Sequence, residues 1–353
     1  MDFDELLALR PALERRLRAD FATERRRVPP VFREHVASLE EFTLRGGKRF
    51  RALLLLGGYW IASGKDPTPA LPAAAALEHF QSWMLIHDDI IDHAETRRSG
   101  PTIHRIYEGR HRERSKLGPA PEYGVGMGIT AGDLEEPFTV SGLLDAPGTD
   151  ARRLAALREY ARMTRETAYG QLLDIENGAR PVDAVRESDV LQVHRLKSAI
   201  YTVASPLRIG AMLGGSGPAL LDDLEAIGID FGIAFQLRDD VLGAGFDSEK
   251  MGKSANDLQE GKRTLLVVRA WATADAEGRS RLTAVLGRAD ADPASVDAAR
   301  EVIRSTGSLE YSERKIAQLS RRARQRIARS RGLRADARAL LNEVGDRLLY
   351  RSV

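Results

Sequence analysis

Apolar residues recur every three or four positions along most of this chain, and that spacing predicts amphipathic helices. Leu6-Leu7, Leu13 and Leu17 mark a first helix; Leu154, Leu157 and Tyr160 mark another; Ile316, Leu319, Ala323 and Ile327 mark a third. Alternating Val, Ile and Thr runs are scarce, and no hairpin dipeptide separates two of them, so strands are not expected. With three turns as the ordinary helix length, the pattern predicts an all-α protein of about ten helices. Breaks fall in the Pro/Gly-rich stretches 64–72, 118–128, 146–149 and 214–218. None is a long linker, and no repeat is visible. The charged, turn-rich stretch 108–123 reads as an exposed loop. One helical domain over residues 1–353 is expected.

Composition narrows the partners. Lys plus Arg number 53 against 51 for Asp plus Glu, and the net charge of +2 gives no strong field for nucleic acid. The absence of cysteine excludes disulfides, thiolate metal sites and a cysteine nucleophile. An acidic stretch, Asp2 to Glu5, follows Met1 in place of a basic region and apolar core, so no signal peptide is expected. The longest apolar stretch, 52–62, is too short to span a bilayer, which leaves a soluble cytoplasmic protein as the expectation.

Two acidic segments carry the chemistry. The first is His87-Asp88-Asp89-Ile90-Ile91-Asp92, followed by Arg97-Arg98. The second is Phe235-Gln236-Leu237-Arg238-Asp239-Asp240, followed by Asp247, Lys253, Asp257 and Lys262. Read as a helix, 77–94 puts Asp88 and Asp92 on one face with Asp89 on its flank. Gln81 lies nearly two turns earlier on that face, and Met84 one turn before Asp88. Residues 227–242 repeat the arrangement, with Gln236 and Asp240 four apart and Gly228, Gly232 and Ala234 small enough for close packing. A lone Asp-Asp-x-x-Asp is as readily a solvated acidic patch. Here Leu85, Ile86, Ile90 and Ile91 indicate a largely buried helix, where unpaired carboxylates are costly. Two such groups with Lys and Arg nearby point to Mg²⁺ clamping a diphosphate, since Mg²⁺ takes one or two carboxylates plus phosphate oxygens. His87 and His93 read as satisfied helix histidines rather than a transition-metal site. The glycine-rich 124–128 evokes a nucleotide loop only loosely, with no clear strand before it and no Gly-Lys-Ser/Thr after it.

From about Gly46 to Lys262 the chain resembles the trans-isoprenyl diphosphate synthases, or polyprenyl synthetases, of the short-chain type such as geranylgeranyl and farnesyl diphosphate synthases. Gly46-Gly47-Lys48-Arg49-Phe50-Arg51 resembles the family's GGKxxR, which implies that Lys48 and Arg51, with Gln81, bind isopentenyl diphosphate. Asp88-Asp89-x-x-Asp92 matches the first aspartate motif, with Arg97 toward the allylic diphosphate and Arg98 toward the isopentenyl diphosphate. Gly170-Gln171-x-x-Asp174 matches GQxxD, Lys197-Ser198 stands where the family usually has Lys-Thr, and Gln236, Asp239 and Asp240 match FQxxDD. Lys253, Asp257 and Lys262 match the downstream GKxxxD…GK.

The resemblance implies an isoprenoid-synthase-type helical bundle around a central cavity and a homodimer. It further implies Mg²⁺, three ions per site with Mn²⁺ able to substitute, on Asp88, Asp89, Asp92, Asp239, Asp240 and Asp257. The implied reaction ionises an allylic C–O bond; metal ions, Arg and Lys stabilise the leaving diphosphate. Isopentenyl diphosphate would then attack the cation, and the released diphosphate would serve as the base. Catalytic roles would fall to Asp88, Asp92, Arg97, Lys197, Asp239 and Lys253, and substrate binding also to Arg98, Ser198, Gln236 and Lys262. Residues five and four before the first aspartate, Trp83 and Met84, would floor the hydrocarbon pocket and limit the product to 15 to 20 carbons, geranylgeranyl diphosphate favoured. A class I terpene cyclase would usually carry an Asn/Ser/Glu triad in place of Asp239-Asp240. A regulatory subunit of a heteromeric synthase would commonly have lost an aspartate motif. Three places depart from the family pattern: Gly243 in the last slot of the second motif, Gly245-Phe246-Asp247 for Phe-Gly-Asp, and Glu135-Glu136-Pro137 where small apolar residues are usual.

Overall fold

The periodic apolar pattern becomes helix nearly everywhere in the structure, a computed structural model that describes residues 1–246 and 256–350. The described residues are all-α apart from one two-stranded ribbon, Thr96–Arg97 against Gly100–Pro101. They form more helices than the ten expected, because several patterns divide. The first splits into Phe3–Leu7, closed by a capping box from Asp2, and Arg10–Arg27. Pro11 accounts for the break: it has no N–H to continue a helix but suits the first turn of a new one.

The loop expected over 108–123 is instead mostly helix. Ile103–Glu113 and Ala120–Asp133 flank a connection of only 114–119. Tyr107, Glu108 and His111 are all buried, so this stretch is a packed helix whose exposed charges are Arg112 and Glu113 at its end. Of the glycines taken as breakers, Gly124 and Gly128 sit one turn apart inside Ala120–Asp133 and pack closely. A Cβ at Gly124 would stand 2.6 Å from the His104 carbonyl oxygen, and one at Gly128 would stand 2.9 Å from Ile90 Cδ1. They are a contact stripe, which removes the nucleotide-loop reading.

The chain forms two compact units. The first comprises residues 1–158 and 206–217. Its helix Leu71–Ile91, the first aspartate helix, packs on neighbouring helices around Phe21, Val36, Leu39, Phe42, Ile86, Ile103 and Tyr107. The second comprises 159–205 and 218–353. Its second aspartate helix, Pro218–Gly243, packs on a π-helical segment, His194–Ala204, and on Ser308–Arg329. Gly228 and Gly232 permit the first approach, since a Cβ at either would stand 2.5 Å from the Cα of Ala204 or Ala199. Ion pairs fasten the second approach: Arg238 forks onto Glu313 at 2.5 and 2.7 Å, and buried Asp230 takes Arg322 and Arg326. Among the described residues no helix is long and apolar enough to cross a membrane.

Candidate active site

The first aspartate helix ends on its motif, with Asp92 as its C-cap. Asp92 is exposed and Asp88 is partly so, whereas Asp89 is fully buried. Asp89 Oδ1 accepts from Arg97 Nε at 2.8 Å and Nη2 at 2.5 Å, and that Nη2 lies 4.0 Å from Asp88 Oδ2. Burial pushes the Asp89 carboxyl up against the pull of Arg97, while Arg97, desolvated too, is held a cation by Asp89. The guanidinium cannot lose its proton, so the pair is best read from the Arg97 side, as an ionic contact. Asp89 is thus engaged with Arg97, and the outward carboxylates of this motif are those of Asp88 and Asp92.

Arg97 sits on the ribbon, whose turn residues Arg98 and Ser99 both have φ near +60° (53° and 61°). That is the geometry of a two-residue hairpin, here without the glycine or asparagine that would announce it. Left-handed backbone costs a non-glycine residue roughly 1–2 kcal/mol. The hairpin is tied to the 45–49 loop: Arg45 Nη1 donates to the carbonyls of Arg97 (3.0 Å) and Pro101 (2.8 Å), and Arg98 Nη1 to those of Arg45 and Gly46 (3.3 Å each). Burial, with Arg49 and Arg51 nearby, lowers the Arg98 pKa, and the Glu78 carboxylate opposes them. Lys48 is exposed; Arg51 and Gln81 are half-buried. Arg49, at φ +54°, reaches inward, where Nη1 meets Glu78 Oε2 at 2.9 Å with both side chains 1% exposed. Sequence reasoning missed Arg49 and Glu78. The available signal was a glutamate in the apolar run 71–80 of a helix whose far end is acidic.

In the second unit the π-helical segment carries Lys197 and Ser198, and widened π turns are frequent at functional sites. Lys197 Nζ is 2.6 Å from Asp174 Oδ2, which joins two of the motifs that matched the family pattern. Ser198 Oγ donates to Gln236 Oε1 (2.9 Å), and Gln236 Nε2 donates to Asp240 Oδ1 (3.1 Å). His194 Nε2 stands 3.0 Å from Asp240 Oδ2, a partner the sequence reading did not foresee. Lys262 Nζ contacts Asp257 Oδ1 (2.9 Å) and Glu260 Oε2 (2.7 Å). Burial works against its charge, yet these carboxylates raise its pKa well above the usual lysine range. Burial likewise pushes Asp257 up, opposed by Lys262 and reinforced by Asp240. Asp239 lies half-buried on the same helix end, while Asp247 and Lys253 lie outside the described residues.

Each departure from the family pattern has a local counterpart. A Cβ at Gly243 would stand 1.8 Å from Asp257 Oδ2, so Asp257 occupies the space that a third motif aspartate would claim. Gly245 has φ +92° and closes the helix, while Phe246 is buried under Arg304 at 5.0 Å. Glu135 is fully buried, with Oε2 2.6 Å from His79 Nδ1 and Oε1 3.0 Å from Thr43 Oγ1. Asp20 Oδ2 lies 3.6 Å from His79 Nε2, too far for a hydrogen bond but close enough to add its charge. Desolvation opposes an imidazolium at His79, yet Glu135 and Asp20 outweigh it and push its pKa up to about 9. His87 Nε2 is satisfied by the Ile129 carbonyl at 3.2 Å, as expected of a helix histidine.

Among the described residues no three His, Asp or Glu side chains converge into a cage that could hold a metal unaided. Outward carboxylates one turn apart, short of a full ligand set, fit Mg²⁺ that completes its shell with substrate oxygens. A helical chain with Lys- and Arg-flanked carboxylates at two helix ends defines a class of enzyme that handles diphosphates.

The profile of the polyprenyl synthetase family matches residues 33–303, and the chain belongs to that family. The geranylfarnesyl diphosphate synthase of Aeropyrum pernix is 31% identical over 316 residues, covering 87% of this chain and 91% of the relative. The geranylgeranyl diphosphate synthase of Methanosarcina mazei is 32% identical over 269 residues, covering 75% and 74%. A crystal structure of geranylgeranyl pyrophosphate synthase from Corynebacterium glutamicum, complexed with isoprenyl diphosphate and magnesium, superposes with a TM-score of 0.89 at 33% identity, covering 99% and 100% of the two chains. The protein is accordingly a prenyltransferase of the isoprenyl diphosphate synthase kind.

Proposed function

We propose that this enzyme condenses isopentenyl diphosphate with an allylic diphosphate and that its main product is geranylgeranyl diphosphate. The observation that carries the reading is the retention of both aspartate motifs, each beside a Lys or Arg already in ionic contact with it or its neighbours. Similarity to geranylgeranyl and geranylfarnesyl synthases supports a long product within the short-chain class, and Trp83 and Met84 as the floor support stopping at C20.

In this reading Asp88 and Asp92 in the first unit, and Asp239, Asp240 and Asp257 in the second, are the Mg²⁺ ligands. Mg²⁺, when bound, neutralises charge on the departing diphosphate. Asp89 holds Arg97 in place to contact the allylic diphosphate. Lys48, Arg51, Gln81 and Arg98 bind isopentenyl diphosphate, with the Arg49–Glu78 pair positioning their loop. Lys197 and Lys262 offer ammonium groups held by carboxylates that a diphosphate can replace. Ser198, Gln236 and His194 orient Asp240. We also propose a homodimer, a reading that exposed Val125, Ile129 and Leu134 support and that size-exclusion chromatography with light scattering tests.

The direct test supplies purified protein with Mg²⁺, geranyl or farnesyl diphosphate and labelled isopentenyl diphosphate, and identifies products by mass spectrometry. An elongated diphosphate, lost with a chelator and restored by Mg²⁺, is expected. A hydrocarbon formed from the allylic substrate alone, or no turnover at all, would overturn the proposal.

A further inference from the structure

Three residues of the first aspartate helix, His79, Trp83 and His87, stand at four-residue intervals and so share one face. The junction 132–135, a tight turn at Leu134 between helices Ala120–Asp133 and Glu135–Leu144, touches all three. Glu135 Oε2 lies 2.6 Å from His79 Nδ1, deep in the unit. Asp133 Oδ1 accepts from Trp83 Nε1 at 3.3 Å and stands 3.5 Å from His87 Nε2. Gly132 makes the approach possible, because a Cβ there would fall 2.7 Å from His87 Nε2. The turn is therefore laid along the helix and anchored at its buried end by Glu135, which Thr43 also contacts.

The consequence falls on the indole. The Trp83 side chain has one polar atom, Nε1, and its N–H donates to Asp133 Oδ1. Phe80 and His87 meet the ring edge-on, with centroids 5.9 and 6.1 Å away. A half-buried indole without its hydrogen bond has other rotamers open to it. A wall that stops a growing hydrocarbon must not swing aside.

We propose that Asp133 is a positioning residue that fixes the Trp83 indole and thereby sets product length, with the Glu135–His79 contact holding the turn that presents it. This rests on Trp83 being the floor of the hydrocarbon pocket. Each condensation that slips past the floor adds one five-carbon unit, so the defect reads out directly as longer product.

The test uses the full chain with Mg²⁺, farnesyl diphosphate and labelled isopentenyl diphosphate, and measures product distribution by mass spectrometry. Asp133→Ala should raise the share of product longer than the wild type's by about fivefold, the effect of one lost hydrogen bond. Asp133→Asn, which keeps an oxygen in reach of Nε1, should restore the wild-type distribution, as a merely structural role for the charge would not. Trp83→Phe keeps a ring without the N–H and should match Asp133→Ala; the double variant should be no worse than either. Thermal melts confirm folding, which the partial exposure of Asp133 favours. Wild-type products from Asp133→Ala, no rescue by Asn, or additive effects in the double variant would overturn the inference. Trp83→Ala separates the two layers. If it lengthens the product while Asp133→Ala does not, only the role of Asp133 fails; if it leaves length unchanged, the floor itself is wrong.

Discussion

The buried pair of His79 and Glu135 makes stability depend on pH in a calculable direction. His79 ordinarily titrates at 6.5, and in the fold Glu135 and Asp20 push it up to about 9 despite burial. A group whose pKa is raised on folding contributes stability that is complete below its unfolded value. That stability disappears as pH climbs through the folded value. The window therefore opens near 6.5 and closes near 9. At about 1.36 kcal/mol per unit, the shift corresponds to ~3 kcal/mol at most, a sizeable part of a typical domain's stability. Urea unfolding followed by far-UV circular dichroism, at about pH 6 and again at about pH 9.5, reads the slope. Wild type should lose midpoint across that interval, and His79→Gln should lose far less. Glu135→Gln should move the window to lower pH, because the imidazolium then keeps only the more distant Asp20. Equal slopes in wild type and His79→Gln would refute the reasoning, since the pH dependence would then belong to other groups.

Three further outcomes test the site. Asp88→Ala or Asp239→Ala should each cut turnover by ~10²-fold or more while leaving the urea midpoint nearly unchanged, and near-normal rates would remove that residue from the metal site. Ser198→Thr keeps the hydroxyl that Gln236 accepts from and should hold steady-state turnover within about twofold, whereas Ser198→Ala should lower it by more. Gly243→Ala forces a methyl into the space of the Asp257 carboxylate; it should destabilise the protein by roughly 1–3 kcal/mol in thermal unfolding and slow turnover.

Helical character and both aspartate motifs were legible in the sequence because each is a local pattern. The four-residue step from Asp88 to Asp92 needs only a helix to put both on one face, and Leu71–Ile91 supplies it. The neighbourhood of Lys197 and Asp174 was legible by resemblance, which carries pairings that spacing alone does not, whereas the Ser198–Gln236 contact was not foreseen. Glycine was read less well. In 118–128 it was taken as a breaker, whereas Gly124 and Gly128 face His104 and Ile90 at distances no side chain would allow. Composition cannot separate those two uses of glycine, because the difference lies in what the opposite surface does. The hairpin at Arg98-Ser99 was invisible for the converse reason: its backbone demands positive φ, and the chain meets that demand with side chains that ordinarily avoid it.

The departures from the family pattern share one physical logic. Each removes or adds a side chain at one position, and a residue far along the chain but within the same unit adjusts to it. Gly243 leaves space, and the carboxylate of Asp257 fills it. Gly245 turns the chain, and Arg300 closes over the turn by donating to the Ala244 carbonyl at 2.9 Å, from 56 residues away. Glu135 brings a charge into the buried interior of its unit, and His79, also 56 residues away, answers it. Reversing one member alone is therefore worse than leaving both, since an unpaired buried charge costs more than the pair contributes. Glu135→Leu, which removes the carboxylate from beside His79, should destabilise this protein at neutral pH, while Glu135→Leu with His79→Leu should recover most of the loss. A melting temperature for the double variant no higher than that of Glu135→Leu would show that the two positions are not coupled.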